Sequence, residues 1–224
     1  MRISFVNRLA LIICTATISI GACSHADGRG RTSAQEAAAA AADSLTTKAD
    51  LGRIDGSPSA QVWVVEISDF QCPYCKAWHD EIYAAIRDEF VKTGKVRIAY
   101  VNYPMPQHGN AMAAARAAMC AAAQGKFWTM HDSLFVTQRA WELLPNPAPF
   151  FETLATKTGV DLPTWKSCLT SKSIQSLIQA DMERAKRAGV EATPSFIVGG
   201  KLLEGARSVK EMRQAINTAL GVKQ

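Results

Sequence analysis

Apolar residues fall into short blocks along this chain, and their spacing changes from block to block. Val62-Trp63-Val64-Val65-Glu66-Ile67 is nearly continuous, and such a run bounded by turn residues reads as a strand buried on both faces. Gly56-Ser57-Pro58 is the turn that precedes it and marks the edge of the folded domain. Over 71–93, apolar Trp78, Ile82, Ala85, Ile86 and Phe90 recur at three and four, which predicts a helix ended by Gly94. Residues 96–101 alternate, with Val96, Ile98 and Tyr100 on one face of a second strand. The Ala-rich, Pro-free segment 111–130 predicts one long helix. Further helices fit 148–158, 162–169 and 173–188, with Gly159 and Gly189 as C-terminal stops. Ser195-Phe196-Ile197-Val198, Gly199-Gly200 and Lys201-Leu202-Leu203 give a hairpin. A capped amphipathic helix over 208–220 closes the chain. The predicted order is β, α, β, a helical block, β, β, α, without an internal repeat.

The chain has 224 residues, 48 % of them apolar and 20 % charged. That suits one domain with an insertion and excludes wholesale disorder. Its net charge of +5 is mild, and no basic run with interleaved aromatics argues for nucleic acid. Two of the positive charges, Arg2 and Arg8, precede an apolar stretch over 9–20 and the small residues Gly21-Ala22-Cys23. This three-part pattern predicts a secretory signal over 1–22, too short for a membrane span. Ile20-Gly21-Ala22-Cys23 resembles a bacterial lipobox, which makes Cys23 a lipidation candidate. Ser24-His25-Ala26 offers a competing, ordinary cleavage site. Residues 23–50 are polar, Ala-rich and low in complexity, as a tether between anchor and domain would be. The predicted location is periplasmic or extracytoplasmic, where disulfides persist.

Cys72-Pro73-Tyr74-Cys75 follows the buried strand and opens the first helix. A helix N-terminus stabilises a thiolate, so Cys72 should be the nucleophile. Pro73 fits the first turn, and the i, i+3 spacing lets Cys75 reach back to a mixed disulfide on Cys72. A zinc ribbon would need a second pair at similar spacing, and haem attachment would need His at 76, where Lys stands. His79 reads as a partly exposed helix histidine rather than a ligand, so no metal is assigned. Met112, Met119, Met130, Trp128, Trp141 and Trp165 read as core, and His108 as packing near the start of the helical block. Glu66 is the one charge in its strand, and burial there would raise its pKa; a strand-edge carboxylate reaching solvent is the alternative. Cys120 and Cys168 remain, both in the helical block. They predict a structural disulfide, with two buried free thiols as the alternative.

The segment from Val65 through Cys75 resembles the active-site region of DsbA-like thiol:disulfide oxidoreductases, a branch of the thioredoxin superfamily. Gln124-Gly125-Lys126-Phe127-Trp128 with His131-Asp132 and Leu134-Phe135 resembles the family's helical insertion. The segment from Gly189 to Phe196 resembles its proline loop. The resemblance implies an α/β thioredoxin fold over 51–224 with a helical insertion at about 107–190. It implies Cys72 as the attacking and Cys75 as the resolving cysteine of a redox-active disulfide. Glu66 would assist proton transfer to the second cysteine. Thr193-Pro194 would carry a cis proline opposite the cysteines, and its backbone, with Pro73 and Tyr74, would meet an extended substrate segment. Tyr74 replaces the His of the most oxidising members, which predicts a less oxidising pair. The implied partners are exported proteins with cysteines as substrates and a membrane redox protein that recycles the pair; no diffusible cofactor is needed. A reductase or isomerase of the same fold, and a non-enzymatic chaperone or metal-binding module, are the competing functions.

Overall fold

The computed structural model describes residues 33–222. The signal at 1–22, Cys23 and the tether as far as 32 lie outside the described residues. Five strands form one mixed sheet in the order β1-β3-β2-β4-β5. They are β1 (Ile54–Asp55), β2 (Val62–Ser68), β3 (Val96–Asn102), β4 (Ser195–Val198) and β5 (Lys201–Glu204). β2 and β3 are parallel and every other pair is antiparallel. A parallel pair needs a crossover, and the helix over 73–91, α2, supplies it. Val62, Val64, Val96 and Ile98 pack with Trp78, Ile82, Ile86 and Phe90 of α2. Met212 and Ile216 of the closing helix α9 (Val209–Ala219) complete that layer, and a Ser208–Glu211 capping box starts α9.

Three elements depart from the pattern-based expectation. β2 is buried on both faces only toward its end, since Trp63 and Val65 keep partial exposure. α2 is continuous but includes two π-helical stretches, His79–Tyr83 and Arg87–Val91. The expected helix over 111–130 is two helices, Ala111–Ala122 (α3) and Phe127–Val136 (α4). Gly125, at φ 69°, makes the break, and Lys126 N–H closes it onto Ala121 O at 2.8 Å. The turn brings Phe127 and His131 onto Phe70 and Tyr100 of the sheet side.

The helical block continues with Gln138–Trp141 (α5), Ala148–Thr158 (α6), Leu162–Leu169 (α7) and Lys172–Arg187 (α8). Cys120 of α3 and Cys168 of α7 are joined by a disulfide across 48 residues. Trp141 and Trp165 are fully buried in the same core.

Most of the expected tether is helix. Ser33–Gly52 forms the helix α1, because an Ala-rich, Pro-free segment has high helix propensity and its last turns have a surface to bury. Ala49 is buried in the helical core and Leu45 packs against it. Gly52 comes so near α3 that a Cβ there would stand 2.2 Å from Ala122 O. Beyond it, the buried Arg53 pairs with the buried Asp181 of α8. Asp181 also accepts from Asn102 N at 3.2 Å and Asn102 Nδ2 at 3.0 Å, which fastens α8 to the end of β3. The folded unit therefore includes α1. Among the described residues no helix is long and apolar enough to cross a membrane.

Candidate functional site

The site is built on the turn between β2 and α2. Cys72 has extended backbone angles, caps α2 and is followed by Pro73 in the first turn. Cys72 N–H bonds Asp69 O at 3.0 Å, and Cys72 O accepts from Lys76 N at 3.1 Å. Both cysteines are free thiols. Cys72 is 4 % exposed, Cys75 is 0 % exposed, and Tyr74 between them is 68 % exposed. Cys72 Sγ lies 3.4 Å from Thr193 O, so the loop before β4 sits directly beside it. The Thr193–Pro194 peptide is cis.

The two thiols differ sharply. A hydrogen bond from Cys75, helped by the Thr193 hydroxyl and by the Cys75 and Tyr74 backbone N–H groups, brings the Cys72 thiol down to about 6 despite burial. Burial pushes the Cys75 thiol well up. At neutral pH Cys72 is therefore mostly thiolate while Cys75 keeps its proton, as a nucleophile and a resolving thiol require.

Glu66 does not reach solvent. It lies on β2 with Tyr100 of β3 and Phe196 of β4 as its neighbours in register, and it is 0 % exposed. Burial raises its pKa to about 8 against the effect of the Ser68 hydroxyl, so it is a neutral acid at pH 7. Among the described residues its oxygens and the hydroxyls of Ser68 and Tyr100 have no hydrogen-bond partner. The Ser68 hydroxyl acts on both groups, holding the Glu66 carboxyl and the Cys75 thiol below where burial alone would set them.

Sequence reasoning missed the side chains that hold this turn. The buried Asp69 carboxylate accepts from Gln71 N at 2.8 Å and Met105 N at 2.8 Å, and meets His108 Nδ1 at 2.6 Å. Its own N–H points to Cys75 Sγ at 3.5 Å. Gln138 of α5 donates Nε2–H to Phe70 O at 2.7 Å and Cys72 O at 3.1 Å. Gln71 donates to Glu142 O at 2.7 Å and accepts from Asn110 N at 2.7 Å. Asp69 and Gln71 adjoin the cysteine motif, and a polar pair at the mouth of a buried strand was the available signal. Gln138 lies 66 residues from Cys72 and carried none.

The chain matches the family model described as thioredoxin over residues 48–218. It is 32 % identical over 165 residues to the probable disulfide bond formation protein D of Bacillus anthracis, covering 70 % of this chain and 72 % of that one. It is also 32 % identical over 171 residues to the Na(+)/H(+) antiporter NhaA 3 of Salinispora tropica; the match takes in 76 % of this chain but only 25 % of the antiporter. The oxidised crystal structure of BdbD from Bacillus subtilis superposes with a TM-score of 0.69 at 27 % identity, covering 76 % of this chain and 94 % of that one.

Proposed function

The chain belongs to the thioredoxin family as a DsbA-like thiol:disulfide oxidoreductase, and from that premise we propose that it forms disulfides in exported proteins. The observation that carries this direction is the difference between the two thiols. A Cys72 thiolate stable at neutral pH favours the reduced pair and so makes the disulfide form a stronger oxidant.

In the proposed cycle a substrate thiolate attacks Cys72 Sγ of the Cys72–Cys75 disulfide. A substrate–Cys72 bond forms, the Cys72–Cys75 bond breaks, and Cys75 leaves as a thiolate. Glu66, holding its proton below about pH 8, supplies that proton by way of Ser68. A second substrate thiolate then attacks the substrate sulfur and expels the Cys72 thiolate, a good leaving group because its pKa is low. The substrate gains a disulfide and the protein is left with two reduced cysteines. A membrane redox partner takes those two electrons and restores the disulfide. Thr193 O, beside Cys72 Sγ, marks where an extended substrate segment would lie, with Pro73, Pro194 and the exposed Tyr74 bordering it.

We assign 1–22 to an export signal and Cys23 to a lipid anchor that holds the enzyme at a membrane. Mass spectrometry of the membrane fraction tests the anchor: an unmodified N-terminus at Asp27 would refute it. The direction is tested by equilibrating the Cys72–Cys75 pair with glutathione buffers. A potential of about −120 to −160 mV supports disulfide donation; one near or below about −250 mV means a reductase or isomerase instead.

A further inference from the structure

Outside the cysteine pair, α2 and α4 bring together His79, His131 and Asp132. One ring nitrogen of each histidine and one Asp132 oxygen all lie within 4.8 Å of one another. Asp132 Oδ1 is 2.8 Å from His131 Nδ1 and 3.4 Å from His79 Nε2. Ligand atoms about 2.0–2.1 Å from a tetrahedral zinc ion stand roughly 3.3 Å apart, so both separations are close to those of a coordination shell. His79 Nδ1 faces Asp80 Oδ1 at 3.2 Å. A carboxylate on one ring nitrogen fixes the tautomer and leaves the other nitrogen's lone pair for a metal. Here that other nitrogen is the one facing Asp132. His79 also begins a π-helical stretch, a local widening frequent at functional sites.

His131 makes the stronger point. It is 0 % exposed and its Nε2 has no hydrogen-bond partner among the described residues. Around it stand the rings of Phe70, Tyr83, Tyr100, Trp128 and Phe135, with centroids 5.0–5.8 Å away. Aromatic faces are negative. An Nδ1–H tautomer leaves a bare Nε2 lone pair among those rings. An Nε2–H tautomer can offer its proton to a ring face, but then sets the Nδ1 lone pair 2.8 Å from a carboxylate oxygen. A cation between Nδ1 and Asp132 removes the conflict.

We propose that His79, His131 and Asp132 bind one divalent transition-metal ion, with zinc the type case. Two imidazoles and one carboxylate suit zinc, copper or nickel, whereas calcium and magnesium need more oxygen ligands. A recess of about 490 Å³ opens onto His79 and Asp132 and gives water a route to the remaining position. Two cations border the recess, but Arg87 is paired with Asp55 at 2.8 Å and Lys92 with Asp88 at 2.6 Å. The ion would join the helix that carries the reactive cysteines to the inserted block.

The test is calorimetric titration of the oxidised mature protein, with the signal removed and Cys23 lipidated or replaced by Ser, with zinc chloride. Cys14 has then left with the signal and the other four cysteines are bridged, so no thiolate competes. Binding of one zinc per chain is expected, together with a rise in Tm on adding zinc. His79→Ala should abolish both. Asp80→Asn, which leaves all three ligands in place, should weaken binding about 10–100-fold. If His79→Ala does not fold, the more conservative His79→Gln gives the same reading. No zinc binding by the native chain, or equal binding by native and His79→Ala chains, would overturn the proposal, as would binding of calcium in preference to zinc.

Discussion

Reducing the Cys72–Cys75 bond should change how stability responds to pH, and the size of the change follows from Cys72. Its pKa is about 6 in the folded dithiol against an ordinary 9.0. A folded pKa below the unfolded one means that the unfolded chain binds more protons between those values, so stability rises with pH across that window. Integration gives almost nothing at pH 5, about 1 kcal/mol at pH 7 and about 3 kcal/mol at pH 8. The disulfide form has no Cys72 thiol and no such term. Cys75 is shifted upward and acts only above this range. Glu66 is shifted upward as well, but it is present in both redox forms and drops out of their difference. Urea melts of the reduced and oxidised protein at pH 5, 6, 7 and 8 measure that difference directly. The reduced form should gain about 3 kcal/mol relative to the oxidised form between pH 5 and 8. A difference that stays flat with pH would mean that the active-site geometry does not stabilise the thiolate.

Glu66→Gln should slow disulfide exchange below about pH 8, where the native carboxyl holds its proton, and the gap should close at higher pH; stopped-flow exchange with a reduced peptide measures it. The same variant should be more stable than the native chain by about 3 kcal/mol at pH 7 and by little below pH 5. A carboxyl whose pKa rises on folding destabilises the fold progressively as pH climbs from its ordinary value toward 8. Replacing Cys120 and Cys168 together by Ser should lower the unfolding free energy by about 4 kcal/mol, the loop entropy of a 48-residue closure, while the glutathione potential of the Cys72–Cys75 pair stays put. Asp69→Asn should cost about 2 kcal/mol, since the carboxylate joins two backbone N–H groups and His108; an unchanged urea midpoint would show that the turn holds without it.

The cysteine motif and the strand before it were legible because short-range physics places them: a continuous apolar run, then turn residues, then a proline-started helix. Helices over 148–158 and 162–169 were legible to the residue, since Pro147 and Gly159 bracket the first and Asp161 with Pro163 starts the second. Alanine misled in both directions. It hid the break at Gly125, because a run of strong helix formers outweighs one glycine in any local reading. It also made residues 33–50 look like a plain tether, because alanine shows no face until a partner surface exists. Glu66 was conspicuous as a charge in an apolar run, but only the neighbouring strands decide that it is sealed from solvent. Asp69, Gln138 and the His79–His131–Asp132 cluster depend on contacts between distant segments, and no local pattern announces those.

The hydrogen bonds from Gln138 to Phe70 O and Cys72 O have a consequence for how this enzyme could be rebuilt. The helical block is not a transferable module. A sheet domain stripped of it would lose the donors that close the active-site turn and would lay bare Phe70 and Tyr100, now stacked at 4.8 Å under the block. An insertion borrowed from another protein would have to bring its own donor to the same two carbonyls, and its own covering for that aromatic pair. The boundary between scaffold and insert, obvious in the topology, therefore does not exist in the chemistry.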